Sequence, residues 1–243
     1  PVSLWSGWWR RPRTALPESV AATVRSWEAM PAPDERARPA DTRFVVVDTE
    51  TTGLDPGRAE LLAIGACAIV AEAIDLSSHC EVGVRPSAPS TKDNVLVHQI
   101  GHARQAQGLP LDVALSEWLA YCGRPVFVGF HARFDATVLA RHARASLGVA
   151  LPGRWLDVGL LLRALFPGEG PAHPDLDYWA GRFALPVDGR HGALADAYLT
   201  AALFLVVLRA APPRHVATVS QLFSWQDATR NQAARPEGHF PGA

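Results

Sequence analysis

Two carboxylates close a hydrophobic run early in the chain, Phe44-Val45-Val46-Val47-Asp48-Thr49-Glu50. A near-continuous stretch of β-branched and aromatic residues reads as a strand buried on both faces. Strand side chains alternate with a period of two, so Asp48 and Glu50 leave the same face at the point where the chain turns polar. Two acids so placed repel each other unless a cation lies between them. Hard oxygen ligands on one face suit a divalent ion such as Mg²⁺ or Mn²⁺, which would neutralise the pair and keep positions open for water or phosphate. The alternative at this point is a pair of solvated acids opening a surface turn.

Two further acids are candidates to join them. Asp135, in Phe130-His131-Ala132-Arg133-Phe134-Asp135, follows a predicted buried strand and enters a helix, where open α/β sheets gather their ligands. Asp196, in Arg190-His191-Gly192-Ala193-Leu194-Ala195-Asp196-Ala197, sits in the first turns of an otherwise apolar helix, with His191 just ahead of it. An acid on such a helix is costly unless something pairs with it. The positive end of the helix dipole offers a second explanation for its presence. Asp157 follows Arg154-Trp155-Leu156 and reads as a helix N-cap, not a ligand.

The elements that would position these groups follow from periodicity and turn chemistry. Thr51 to Pro56 is turn-like, residues 61–70 read as a second buried strand and residues 77–85 as a third, with connections short enough for antiparallel hairpins. Leu115, Trp118, Leu119 and Cys122 fall on one helical face that Gly123 can close. Residues 126–130 read as a strand, 134–147 as a helix ahead of Gly148, 155–157 as a short strand, 158–166 as a helix stopped by Pro167, and 176–183 as a short helix. Residues 193–209 form the last strong helix of this region, closed by Pro212-Pro213. A three-strand meander followed by alternating helices and strands predicts an α/β architecture with a mixed sheet flanked by helices.

The domain itself is expected over residues 42–212. Residues 1–41 differ in character: Trp5, Trp8 and Trp9 stand beside Arg10, Arg11 and Arg13, then Val20, Val24 and Trp27 recur at helical spacing before a proline-rich linker. The aromatic and arginine cluster could stack on bases, rest on a membrane surface or a partner, or pack back on the domain. Residues 213–243 are polar and partly helical by pattern, and Gln221-Leu222-Phe223-Ser224-Trp225 has a faint likeness to peptides that bind bacterial sliding clamps.

At 243 residues, with 48% hydrophobic and 19% charged residues, the chain has the composition of a globular domain with a sizeable core. A net charge of −1 supplies no global attraction to nucleic acid, so any such contact must come from a local patch. Cys67, Cys80 and Cys122 show no Cys-x-x-Cys spacing and read as buried, reduced thiols. No signal peptide or membrane span is expected, which makes the cytoplasm the default location. The chain begins at Pro1 instead of methionine, as a piece trimmed from something longer would.

Phe44 to Leu54 with Asp48 and Glu50, then Phe134-Asp135, then Arg190-His191-x-Ala-Leu-x-Asp196-Ala together resemble the three motifs of the DnaQ-like, DEDD-h 3′-to-5′ exonucleases. The resemblance covers residues 42–209. It implies an RNase H-like fold and hydrolysis of the terminal phosphodiester with two divalent ions, Mg²⁺ or Mn²⁺, roughly 4 Å apart. By that resemblance Asp48 would bridge both ions, Glu50 and Asp196 would complete the site that carries the attacking water, and Asp135 would hold the second ion. His191 would be the general base, an imidazole of near-neutral pKa taking the proton of the attacking water. Thr49 and Thr51 would meet the terminal 3′-hydroxyl, Leu54 would pack against the last bases, and His98 and His131 would lie near the terminal nucleotide. Two positions depart from the family pattern. Val97-His98-Gln99-Ile100-Gly101 stands where the family has Val-His-Gly-Ile, and His131 stands where it usually has asparagine.

The implied function is removal of nucleoside 5′-monophosphates from single-stranded DNA, by analogy with proofreading subunits, with a polymerase or sliding clamp as a conceivable partner. An exoribonuclease of the same superfamily, akin to oligoribonuclease or RNase T, is the alternative enzyme. A binding module with vestigial catalysis is the alternative class, and the five intact catalytic positions argue against it.

Overall fold

The computed structural model describes residues 16–87, 101–187 and 191–233. The chain order is α1 (Glu18–Ala29), β1 (Phe44–Thr51), β2 (Leu61–Val70), β3 (Ala73–Gly83), α2 (His102–Ala106), α3 (Leu111–Cys122), β4 (Val126–Gly129), α4 (Arg133–Leu147) and β5 (Leu156–Asp157). It continues with α5 (Val158–Leu165), α6 (Leu176–Arg182), α7 (Ala193–Ala210), α8 (Pro213–Val216) and α9 (Val219–Ala233). The strands form one five-stranded sheet in the order β3-β2-β1-β4-β5. β1 pairs antiparallel with β2, and β2 with β3, whereas β1, β4 and β5 run parallel. This is the mixed sheet flanked by helices that the meander and the alternating pattern after it predict.

The alternation along β1 sorts the two cores. Phe44 and Val46 join Cys67, Ile69, Val126 and Val128 against α5, α6 and α7, where the Phe44 ring meets Phe204 edge-on at 5.1 Å. Val45 and Val47 join Ile64, Ala66 and Phe127 against α1, α3 and α4. On that side Trp118, Phe127 and Trp155 stack in series, with centroids 5.5 and 4.7 Å apart. The sheet is therefore sandwiched by helices, and each face of β1 owns a separate hydrophobic cluster. All three cysteines are buried and unpaired. Burial pushes the Cys67 and Cys80 thiols up to about 12, far from reactive thiolate chemistry.

Three features differ from the sequence reading by more than a residue or two at an element's end. β3 begins at Ala73, four residues before the expected start, because the hairpin turns on Ala71 and Glu72, both at positive φ (51° and 56°). A two-residue turn with both residues left-handed matches the twist of the flanking strands, but Ala-Glu carries none of the glycine or asparagine that advertises it. α7 spans 18 residues and is apolar enough by composition to cross a membrane, contrary to the expectation that no segment would be. Its apolar residues are spent instead on the sheet and on α5 and α6. Lastly, α9 buries Leu222 and Phe223 in the α5–α7 cluster, so the side chains that would anchor a clamp-binding peptide are part of the core.

The segments flanking the sheet are tied to it. Val20, Val24 and Trp27 of α1 are buried, and Trp27 Nε1 donates to the Gly123 carbonyl. The stretch after α1 runs along the start of α9, with Val219 N–H donating to Ala37 O and Ser220 N–H to Glu35 O. Arg154 bridges Glu35 and Asp227 and lies over the Phe223 ring. The Trp5 to Arg13 cluster lies outside the described residues.

Candidate active site

Asp48 and Glu50 project from the same face of β1 as Phe44 and Val46, the face covered by α7. Asp48 is paired across the ladder with Gly65 of β2. A side chain at position 65 would run into the backbone of α7, since a Cβ there would lie 2.1 Å from the Ala193 carbonyl carbon and 2.2 Å from Leu194 N. Only glycine lets the helix rest directly on the strand at the level of Asp48. That close approach delivers Asp196, one turn into α7, to the acids of β1. Ligand oxygens of Asp48, Glu50 and Asp196 all lie within 4.8 Å of one another, with Asp196 buried and the other two half-buried.

Three convergent carboxylates at the positive end of a helix are the donor set of a hard divalent cation. Among the described residues no other group of three His, Cys, Asp or Glu side chains meets in this way. Three carboxylates gathered within 4.8 Å of one another concentrate negative charge that such an ion would neutralise.

Asp135 reaches the end of β1 from the opposite side. It occupies the first turn of α4 and is buried, and its Oδ1 accepts a 2.6 Å hydrogen bond from Thr49 Oγ1. Thr49 points to the α4 face because it lies between Asp48 and Glu50 in the alternation. Burial pushes Asp135 up to about 7, against the pull of the Thr49 hydrogen bond and with a further push from Asp157. Asp135 is thus adjacent to the acidic trio without being one of its converging ligands.

The turn that carries Asp135 is held by Asp157. That carboxylate caps α5 by accepting from Leu160 N, as the N-cap reading expected, and its Oδ1 also accepts from His131 N at 3.2 Å. His131 sits at φ 51°, a left-handed conformation that asparagine and histidine tolerate better than most residues. Backbone conformation thereby gives the histidine at this position a reason that sequence comparison alone lacks. Asp157 is positioned in turn by Gln226 of α9, whose Oε1 accepts from Asp157 N and whose Nε2 donates to Trp155 O. Burial raises Asp157 above the usual carboxylate range, while His131 pulls it down.

His191 is exposed at φ 65°, immediately before the N-cap of α7 and on the same helix start as Asp196. Thr51 Oγ1 donates to Gly53 O, which shapes the turn after β1, and Leu54 stands at its tip with 91% of its surface exposed. An apolar residue so exposed beside an acidic cluster is set to meet something outside the fold. His98 lies outside the described residues.

Three contributors escaped the sequence reading: Gly65, Gln226 and the Thr49 bond to Asp135. A lone glycine inside an apolar strand is a legible sign of close backbone approach. Gln226 is far from the site in sequence and carries no local signal.

The chain matches the RNase T exonuclease family over residues 45–204. It is 32% identical over 177 residues to a DNA polymerase III subunit epsilon-like protein of Rhodobacter capsulatus, covering 72% of this chain and 25% of that protein. Against exodeoxyribonuclease 10 of Escherichia coli it is 28% identical over 166 residues, which is 67% of each chain. The fold superposes on exonuclease X in complex with 5′-overhanging duplex DNA with a TM-score of 0.60 at 24% identity, over 75% of this chain and 99% of that one. The chain therefore spans only a quarter of the first of these relatives. Because the match runs from β1 into α7 and takes in every element that carries an acid of the site, this chain belongs to the exonuclease family.

Proposed function

We propose that this protein removes nucleoside 5′-monophosphates one at a time from the 3′ end of DNA. The observation that carries the reading is the convergence of Asp48, Glu50 and Asp196 from a strand end and a helix start. Mg²⁺ or Mn²⁺ would be held by that trio, with Asp135 serving a second ion, and would supply activation of water and neutralisation of the leaving oxygen. The residues of the chain do the rest. The imidazole of His191, exposed just ahead of the helix that carries Asp196, takes the proton of the attacking water. The turn from Thr51 to Leu54 receives the terminal nucleotide, with Leu54 packing against its base and Thr49 and Thr51 lying near the 3′-hydroxyl. His131 and, by resemblance, His98 complete the surroundings of that nucleotide. An unpaired 3′ end reaches such a site at no cost in unpairing or unstacking, which favours single strands.

The names of the relatives, an exodeoxyribonuclease and an epsilon-like subunit, support DNA as substrate and a polymerase as partner. The burial of Leu222 and Phe223 favours a partner other than a clamp reading that peptide. The test is degradation of matched 3′-labelled and 5′-labelled DNA and RNA single strands with Mg²⁺, Mn²⁺ or EDTA, comparing the native chain with Asp48→Ala and His191→Ala. Shortening of DNA from the 3′ end that needs metal and is lost in both variants is the expected result. Faster loss of the RNA strands would move the activity to ribonucleotides, and binding with no shortening of either would overturn it.

A further inference from the structure

We propose that a cleft lined by Arg58, Arg85 and Arg141, beside the acidic site, binds phosphates of the nucleic-acid strand behind its terminal nucleotide; this rests on the exonuclease reading above. The cleft has a volume of about 340 Å³ and is closed by Leu61, Val84 and Leu111 beneath the charged residues. Its inner wall is continuous with the active site. Leu61 pairs with Thr51, and Thr52 and Glu60 exchange two hydrogen bonds of 2.9 Å, Thr52 N–H to Glu60 O and Glu60 N–H to Thr52 Oγ1. A strand that leaves the acids past the exposed Leu54 therefore has this cleft as its neighbour.

The cleft is built in advance of any ligand. Arg141 Nε donates to Pro56 O at 3.1 Å and its Nη2 donates to Ala59 O, which pins the turn after β1 to α4. His142 Nε2 lies 3.2 Å from the same Ala59 carbonyl, and burial lowers its pKa and so favours the neutral ring. The one acid in the wall, Glu60, is engaged by the Ser87 N–H and hydroxyl. Arg58 faces Asp55 at 3.7 Å, with 91% and 62% of the two side chains exposed, a pairing too loose and too solvated to hold it from a better partner. Arg85 is exposed on the opposite lip. In a chain of net charge −1 with a single lysine, a local concentration of guanidinium groups is what backbone binding requires.

The double variant Arg58→Ser with Arg85→Ser tests this without touching the acids or the Arg141 brace. Binding of a fluorescent single-stranded oligonucleotide in EDTA, where the strand stays intact, is measured against salt concentration. Hydrolysis of the p-nitrophenyl ester of thymidine 5′-monophosphate, too small to reach the cleft, reads the chemistry alone. The expected result is a salt slope reduced by about 1.4, two contacts at roughly 0.7 each, and binding weakened about tenfold at about 0.1 M salt, with hydrolysis of the ester unchanged. An unchanged slope and affinity would overturn the cleft. Failure of the native chain to hydrolyse both the ester and, once Mg²⁺ replaces EDTA, the oligonucleotide would overturn the exonuclease reading instead, and the binding slope would still decide the cleft.

Discussion

The two faces of β1 treat their carboxylates in different ways. On the α7 face, Asp48, Glu50 and Asp196 bring their ligand oxygens within 4.8 Å of one another, a crowding of negative charge that a bound ion would relieve. On the α4 face, Asp135 is alone, buried and held by the hydroxyl of Thr49. The first arrangement is organised for a cation and the second is tolerable without one. A single strand supplies both because consecutive residues, Asp48, Thr49 and Glu50, alternate between the faces.

The contrast breaks most visibly in metal binding. Asp196→Asn should abolish the first binding event in a calorimetric Mn²⁺ titration and reduce exonuclease turnover about 10³-fold, a loss of roughly 4 kcal/mol in transition-state stabilisation. Asp135→Asn should cost activity yet retain that first event. Equal loss of binding in both would erase the distinction between the faces.

Packing is the next lever. Gly65→Val should lower stability by about 3 kcal/mol or more, because the new side chain meets helix backbone that has no room to retreat. A melting temperature within about 2 °C of the native value would show that α7 can stand off from the strand at no cost.

The smallest effect sharpens the α4 face alone. Asp135 titrates near 7 in the fold and near 3.8 as an ordinary aspartate, so the folded state holds the proton more tightly across that window. Stability from this source is present at low pH and is lost as pH rises through about 7. In EDTA, Asp135→Asn should therefore melt several degrees above the native chain at pH 8, with a gap that narrows steadily as the pH falls and closes only near 3.8. Added Mg²⁺ should narrow the gap at pH 8. The opposite order in EDTA would mean that the carboxylate is better solvated than its burial implies.

Much of this was legible before any coordinates, for physical reasons that particular residues make plain. The run from Phe44 to Val47 is apolar on both faces because both faces are covered, and β2 reads the same way from Leu61 to Ile69. The acids stand out because they interrupt such runs. What stayed hidden depends on long-range approach or on unadvertised backbone geometry. Nothing near Thr49 in sequence says that α4 will bring Asp135 to it. Ala71 and Glu72 do not look like a tight turn, and the left-handed His131 becomes intelligible only once Asp157 is seen to hold its amide.

Gln226 has a bearing on how the molecule can be taken apart. It lies 69 residues beyond Asp157 in sequence, yet it is bonded to the backbone on both sides of Leu156, at Trp155 O and Asp157 N. A protease nick or an inserted tag in the linker between α8 and α9 would leave every acid of the site in place while freeing the helix that steadies β5. The last helix is thus a keystone laid over the far edge of the arch, and fusions designed on this scaffold should be attached beyond it.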